Sequence, residues 1–411
     1  MTARSNPADA QAEIPLAEVD VLDLRWFTDG PPHALFARMR AEDPVHRNPG
    51  PEGTIWSLTR HDDISAVSRD TATFSSHRGS IFLTKDDLMP LEIVQLLLLM
   101  KDPPEHTQYR LVLQKAFTPA TVAKLEESVR DRVASLVDAA IERKDGDFVS
   151  DLAVPTSLGV LMRMMGVPET DFARFFDWTE RTERATREMA PGGVTEVFAD
   201  MGAYLAAQIE QQRASADDTI VKRLLDGEVH GRQLDDTEIL VFFGLLAFAG
   251  NDTTRNTASL GMLALLEHPE QLELLRADPS LVPGAIEEIL RWTTVVNWFT
   301  RTVTRDTRIR GQAIAEGDRV LMWYSSASRD ENVFQNPQRF DVRRAKSEHK
   351  AFGGGGRHFC LGAGLARLEL RVLFEELIKR VEGIEQTGPA ERLPSNWANG
   401  LSALPVRMTA R

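Results

Sequence analysis

A mainly α protein with a small β subdomain is what this 411-residue sequence predicts, on three observations. Apolar residues return at helical spacing through long stretches, strand-like alternation is short and rare, and neither an internal repeat nor a regular strand–helix alternation is visible. In chain order the helical stretches are Pro32 to Met39, Thr121 to Ile141, Val194 to Gln212, Asp236 to Glu267, Pro283 to Trp292 and Leu361 to Val381. The strand-like stretches are Ile55 to Thr59, Thr300 to Ile309 and Arg319 to Tyr324, which suits one small sheet beside a helical bulk better than βαβ units. Glycine and proline at Pro49 to Gly53, Pro191 to Gly193, Gly311 and Gly388 to Pro394 mark loops inside one continuous fold. A single domain over 1–411 is expected, with a flexible N-terminal 1–15.

Composition excludes several classes of function. With 42% hydrophobic and 27% charged residues the chain reads as soluble and globular. The N-terminus lacks an apolar h-region, and the longest aliphatic run, Leu96 to Met100, is far too short for a bilayer span, so neither secretion nor a membrane anchor is expected. One Cys permits no internal disulfide and no multi-thiolate zinc cluster, which suits a reducing cytoplasm. A net charge of -13 argues against nucleic acid as a partner.

That single cysteine stands in Phe352-Gly353-Gly354-Gly355-Gly356-Arg357-His358-Phe359-Cys360-Leu361-Gly362. At the start of a helix, free N–H groups and the dipole favour a thiolate, the form that ligates metal. Glycines upstream let the backbone take positive φ and leave room for a flat partner. Read without context, Cys360 is a buried structural thiol followed by a helix, but the glycine run, with its entropic cost, speaks for something that needs the space.

Within the longest helical stretch, Leu245-Leu246-Ala247-Phe248-Ala249-Gly250-Asn251-Asp252-Thr253-Thr254 sets a Gly, an Asn and an acid where an apolar helix would avoid them. Ala249 and Gly250 clear one face, and Thr253 can bond back to the Ala249 carbonyl and bend the helix, forming a pocket for a diatomic. The alternative is a polar turn on a surface helix. In Glu287-Glu288-Ile289-Leu290-Arg291, Glu288 and Arg291 are spaced to pair on one face. A wheel through Ala285, Ile286, Ile289 and Leu290 leaves Arg291 off the apolar stripe, which by itself describes a solvated pair.

In this order, and over most of the chain, these segments resemble the cytochrome P450 haem-thiolate monooxygenases. The resemblance implies the cytochrome P450 fold, haem b (iron protoporphyrin IX) as cofactor and O2 as co-substrate. Cys360 would be the axial metal ligand, with Phe352 and Gly353 in its loop and Ala249 and Gly250 on the long helix lying against the cofactor. One departure stands out: Phe352 lies eight residues before Cys360, where the family places its Phe seven before, so Gly353 takes that place and the loop is one residue longer. Asp252 and Thr253 would deliver protons through water. Glu288 and Arg291 would join Arg339, in Asn336 to Phe340, in a buried structural network that positions the cysteine loop.

Haem propionates require cationic partners. The candidates are His106 and Arg110, four apart on a helix opened by Pro103 and Pro104, with Arg301 and His358; each read alone is a surface residue. By family position the substrate wall comprises Leu245, Phe248, Ala249, Val295, Val296, Trp397, Ala398 and part of Ile81 to Met100, with Asn297 as a polar anchor. Any of these is equally ordinary core. The resemblance implies hydroxylation of a hydrophobic small molecule, a steroid, terpenoid or branched-chain lipid. Electrons would come from a separate ferredoxin or flavodoxin with its reductase, NAD(P)H acting only indirectly, and Arg110, Lys115 and Arg357 would offer that partner a basic patch. A thiolate-haem gas sensor would not need Asp252 and Thr253, and a peroxide-driven peroxygenase of the same fold would replace them.

Overall fold

The computed structural model describes residues 14–50, 53–80, 91–187, 193–214, 219–345 and 348–411. Its principal helices are α1 (His33–Glu42), α2 (His61–Arg69), α3 (Glu105–Gln114), α4 (Glu126–Arg143), α5 (Val154–Met165), α6 (Phe172–Arg187), α7 (Gly193–Ala214), α8 (Asp236–Glu267), α9 (Val282–Thr293) and α10 (Ala363–Arg380). The six expected stretches become α1, α4, α7, α8, α9 and α10. Two are trimmed: a short helix, Pro119–Ala123, separates from α4, and Val381 leaves α10 to open a strand, Val381–Gln386. Helix α5, in which nearly every residue is buried, was not among the expected stretches.

Helix α8 runs through the centre, packed against α5, α6, α7, α9 and α10. A capping box fixes its start: the Asp235 carboxylate accepts the Glu238 N–H at 2.9 Å, and Glu238 accepts the Asp235 N–H at 2.9 Å. Its end is set where the His268 N–H closes on Ala264 and Pro269 follows. In its C-terminal third, a Cβ on Gly261 would stand 2.6 Å from Ile289 Cγ2, so only glycine lets α9 cross α8 this closely.

Beside this bulk lies a five-stranded sheet built from β1 (Val45–Gly50), β2 (Gly53–Leu58), β3 (Phe74–Ser75), β4 (Trp298–Val303) and β5 (Arg319–Trp323). The order is β1-β2-β5-β4-β3, antiparallel except for the parallel β2–β5 pair. The expected Thr300 to Ile309 strand divides: β4 ends at Val303, and Thr307–Ile309 pairs separately with Gln312–Ile314. Register places Arg301 opposite Val320, on a strand whose residues are mostly buried. Of the expected flexible tail, residues 1–13 lie outside the described residues, and Ile14 already packs on the cluster around Phe27, Phe36 and Trp323. Among the described residues no helix is long and apolar enough to cross a membrane.

Candidate active site

The glycine run is held by geometry on both sides. Gly353, Gly355 and Gly356 have φ of 96°, 97° and 73°, a region that strains other residues. A Cβ on Gly354 would fall 1.9 Å from Ser68 Oγ, and one on Gly356 would fall 2.7 Å from the Ser68 carbonyl oxygen, so α2 excludes side chains there. Part of the run thus serves the contact with α2, not a ligand as the sequence suggested. At Gly353, Gly355, Gly362 and Gly364 a Cβ would meet nothing within 4 Å, and these positions do leave open space around the cysteine. The Cys360 N–H donates to the Phe352 carbonyl at 3.2 Å, closing the loop on itself.

The thiol departs from expectation. Cys360 is exposed to small molecules although protein surrounds it in depth, the condition of a residue that lines an interior space. Burial pushes the thiol up, against the backbone hydrogen bonds from Gly362 and Ala363 and the charges of Arg110 and Arg367 that pull it down. A metal cation in contact would add to the groups that favour the thiolate. Among the described residues no group of three or more His, Cys, Asp or Glu could hold a metal, so an ion on Cys360 would have to bring other ligands with it.

Next to the loop a cluster of nitrogen groups converges; the nearby acid Asp102 acts on His106 and Arg301 by its charge, but its oxygens are bonded to Ser75 and Ser76. His106 is buried, its Nδ1 has no partner, and burial with the nearby Arg110 and Arg357 charges lowers its imidazolium to about 4. Its ring centroid lies 4.3 Å from that of His358, whose Nε2 meets Ser76 Oγ at 3.2 Å. Burial, with the charge of Arg301, holds His358 neutral as well. Arg301 is buried on β4; its Nη1 donates to the Thr300 carbonyl at 2.7 Å and its Nε is unpaired. Neither Arg110 nor Arg301 has an ion-pair partner among the described residues. A buried guanidinium without an anion is costly, so this cluster is built for an anionic group supplied from outside the chain. Of the three residues expected in a basic patch on the cysteine side, Arg110 is half-buried and close enough to Cys360 to feel its charge, while Lys115 and Arg357 are exposed.

On α8, Thr253 Oγ1 donates to the Ala249 carbonyl at 2.9 Å, as expected, and the helix continues unbroken. Ala249 is exposed although α8 runs through the protein interior, so this turn borders open space. Gly250 faces away: a Cβ there would approach Leu161 Cδ1 at 3.2 Å. Asn251 is fully buried and accepts from Ser157 Oγ at 2.9 Å, tying α8 to α5. The Asp252 carboxylate lies 3.2 Å from Arg255 Nη2, and Arg255 Nη1 reaches Glu180 of α6 at 2.7 Å. Arg255 and Glu180 were missed in the sequence, although Arg255 stands three residues past Asp252, the spacing of a helical ion pair.

Glu288 and Arg291 are a buried pair, not a solvated one, at 2.7 Å with both side chains fully enclosed. The third arginine differs from the expected one. Arg339 has a 67% exposed side chain and contributes only its carbonyl, which accepts from Arg291 at 3.3 Å. Arg344 supplies the side chain, its Nε 2.9 Å from Glu288 Oε2. The chain turns back after Phe340, which brings the later arginine inward; its distance in sequence gave no signal of this.

The expected substrate wall is only partly open. Leu245 packs with Val94, Leu97, Met100 and Val241. Val296 and Ala398 form an isolated antiparallel bridge and are half-buried, with Trp397 beside Phe299. Val295 lies in the main core. Asn297 is wholly enclosed and donates from Nδ2 to the Asn396 carbonyl at 3.0 Å, so it ties two segments together and is not a polar anchor for substrate. The Phe248 side chain and residues 81–90 lie outside the described residues.

A family model described as Cytochrome P450 matches residues 160–407. The chain belongs to the cytochrome P450 family. It is 39% identical to the methyl-branched lipid omega-hydroxylase of Mycobacterium tuberculosis, over 96% of this chain and 95% of that protein. It is 35% identical to the steroid C26-monooxygenase of Rhodococcus jostii, over 97% of this chain and 86% of that protein. Among solved structures, a Mycobacterium marinum cytochrome P450 in complex with pseudoionone superposes with a TM-score of 0.87 at 33% identity, covering 96% of this chain and 100% of that one. This cytochrome P450 is a monooxygenase of the oxidoreductase class, a family that uses haem iron and O2. The residues present fit that haem: a thiol facing open space, glycines where a flat ring needs clearance, and buried cationic and imidazole groups suited to two carboxylates.

Proposed function

We propose that this cytochrome P450 hydroxylates an unactivated C–H bond of a steroid, terpenoid or branched-chain lipid, with Cys360 as the haem ligand and Asp252 and Thr253 as the proton-delivery pair. Haem, when bound, supplies the activation of O2 that C–H oxidation requires. The balanced reaction takes R–H, O2, two electrons and two protons to R–OH and water, so one oxygen enters the C–H bond and the other leaves as water. The protein must therefore bring two protons to the space beside α8 for each turnover. The observation that carries the reading is the open Ala249 turn of α8. Thr253 holds its hydroxyl there, donated to the Ala249 carbonyl with its oxygen left to accept from water, and Asp252 adjoins it with Arg255 as counter-ion.

His106, Arg110, Arg301 and His358 would hold the propionates, and Phe352 with Gly353 would border the thiolate. The mostly apolar lining around Leu245, Val296, Trp397 and Ala398 supports a hydrocarbon skeleton, as do relatives named for methyl-branched lipids and for steroids. Electrons would enter from a separate ferredoxin, or a flavodoxin, on the cysteine side. Exposed Lys115 and Arg357 adjoin Leu111 and Phe359 there, 47% and 41% exposed, and Arg357 reaches Thr107 of α3 at 3.5 Å, joining loop and helix into one surface.

The test compares Thr253→Ala with Asp252→Asn, measuring product, hydrogen peroxide and reductant consumed. Thr253→Ala should keep consuming reductant while diverting much of it to peroxide, because the water that carries the second proton is no longer held. Asp252→Asn should slow turnover itself, since an amide cannot relay a proton as a carboxylate does. Unchanged coupling in the first and an unchanged rate in the second would make α8 a scaffold. Spectral titration with steroids, terpenes and fatty acids identifies the substrate class.

A further inference from the structure

Two adjacent acids of α9 leave the helix in different directions. Glu288 turns into the buried network described above, whereas Glu287 reaches α10. There Glu287 Oε1 lies 2.6 Å from Arg367 Nε and Oε2 lies 3.0 Å from Arg367 Nη2, a fork that matches the two carboxylate oxygens. His349 Nε2 adds a third contact at 3.3 Å. Because His349 Nδ1 accepts the Ala351 N–H at 3.3 Å, Nε2 is the nitrogen that carries the hydrogen toward Glu287. Burial works against charge on Glu287, but the bonds from His349 and Arg367 hold its carboxyl down to about 2, so it is ionised.

The Arg367 guanidinium then lies over the Phe352 ring, 4.5 Å from its centroid. Arg367 is also anchored to its own helix, with Nη1 3.4 Å from the Ala363 carbonyl. Phe352 in turn offers its carbonyl to the Cys360 N–H at 3.2 Å. Three consecutive contacts thus run from an acid on α9 to the backbone of the cysteine. They pass through the phenylalanine that the longer loop displaces by one place. Arg367 is also one of the two cations whose charge favours the thiolate.

We propose that Glu287 and Arg367 are positioning residues that set the electron-donating strength of Cys360: Arg367 orients the Phe352 end of the loop and places a positive charge near the sulfur, and Glu287 fixes and partly neutralises that charge. This rests on Cys360 being the haem ligand. Reducing the bound haem adds one negative charge beside the thiolate, so a nearby cation favours the reduced state and a nearby anion disfavours it. The two residues therefore act with opposite sign on the reduction potential. A clamp with a purely structural role would give shifts of one sign, or none, because losing either half loosens the same loop.

The experiment is a redox titration of the haem-loaded enzyme, with the absorbance of its reduced carbon monoxide complex recorded for every variant. Glu287→Gln should shift the potential upward, Arg367→Gln should shift it downward, and Glu287→Asp should return toward wild type. If Arg367→Gln fails to retain haem, Arg367→Lys keeps the charge but not the planar fork. It should keep a potential near that of wild type while a larger fraction of the protein loses the red-shifted Soret band. Shifts of the same sign in Glu287→Gln and Arg367→Gln, or no shift in either, overturn the proposal, as does a potential in Arg367→Lys far from wild type. A wild-type complex without the red-shifted band would instead overturn the assignment of Cys360.

Discussion

Replacing Arg344 by Ala should destabilise the protein far more than replacing Arg339. The enclosed Glu288 carboxylate receives Arg291 Nε at 2.7 Å, Arg291 Nη2 at 2.8 Å, Arg344 Nε at 2.9 Å and the Asp341 N–H at 2.9 Å. Arg344 also donates to the carbonyls of Gln335 at 2.7 Å, Asn336 at 3.2 Å and Arg339 at 2.7 Å. Its removal leaves a buried acid short of one cation and deprives three carbonyls of a donor. Breaking a buried ion pair in this way costs about 3–5 kcal/mol. Arg339, 67% exposed and 3.9 Å from Asp341, contributes about 0–1 kcal/mol as a surface pair. At roughly 2 cal/mol/K of unfolding entropy per residue, a chain of this length moves by about 1 °C per kcal/mol. Arg344→Ala should therefore lower the melting temperature by about 3–6 °C, and Arg339→Ala by no more than about 1 °C. Thermal unfolding followed by circular dichroism and by haem absorbance reads both. An Arg339→Ala shift equal to or larger than that of Arg344→Ala would refute the assignment.

Three further outcomes follow from the site. Replacing Arg110 and Arg301 together by Ala removes two charged donors, worth about 1.5–3 kcal/mol each, and should speed haem loss to a scavenger protein at least about tenfold; an unchanged rate would make these arginines irrelevant to haem. Gly354→Ala drives a Cβ against Ser68 and should cost about 1–3 kcal/mol by overpacking, with Ser68→Gly recovering part of it in a double-mutant cycle; zero coupling would contradict the tight α2 contact. The Arg232 hydrogen bonds, outweighing burial and helped by Tyr109, depress Glu238 from the usual 4.5 to about 2. Its ionised form therefore stabilises the fold, fully above the unfolded value and decreasingly as pH falls toward the folded one. Denaturant unfolding should show Glu238→Gln less stable than wild type at neutral pH, the gap shrinking by about pH 3; a gap independent of pH would contradict this.

The sequence showed the long elements in which apolar residues recur. Helices α7, α8 and α9 and strand β5 were legible from apolar spacing, and Cys360, Asp252 and Thr253 stood out as residues that their local setting would otherwise avoid; their roles are what the proposed experiments test. Helix α5 was not read, although most of its residues are buried. Arg344 was hidden because a turn of the chain, not a spacing, brings it to Glu288, and Asn297 was misread because enclosure cannot be told from exposure in a short polar residue. At Cys360 the backbone N–H groups and the nearby arginines favour the thiolate as expected, while depth in the protein opposes it, an effect the sequence did not show.

The central claim is that Cys360 ligates haem iron as a thiolate, and the absorbance of the reduced protein under carbon monoxide tests it most directly. A thiolate opposite carbon monoxide shifts the Soret band strongly to the red. The wild type should show that band in full, and Cys360→Ala should lack it together with all oxygenase activity. A wild-type spectrum without the shift, or a Cys360→Ala variant that keeps it, would contradict the account.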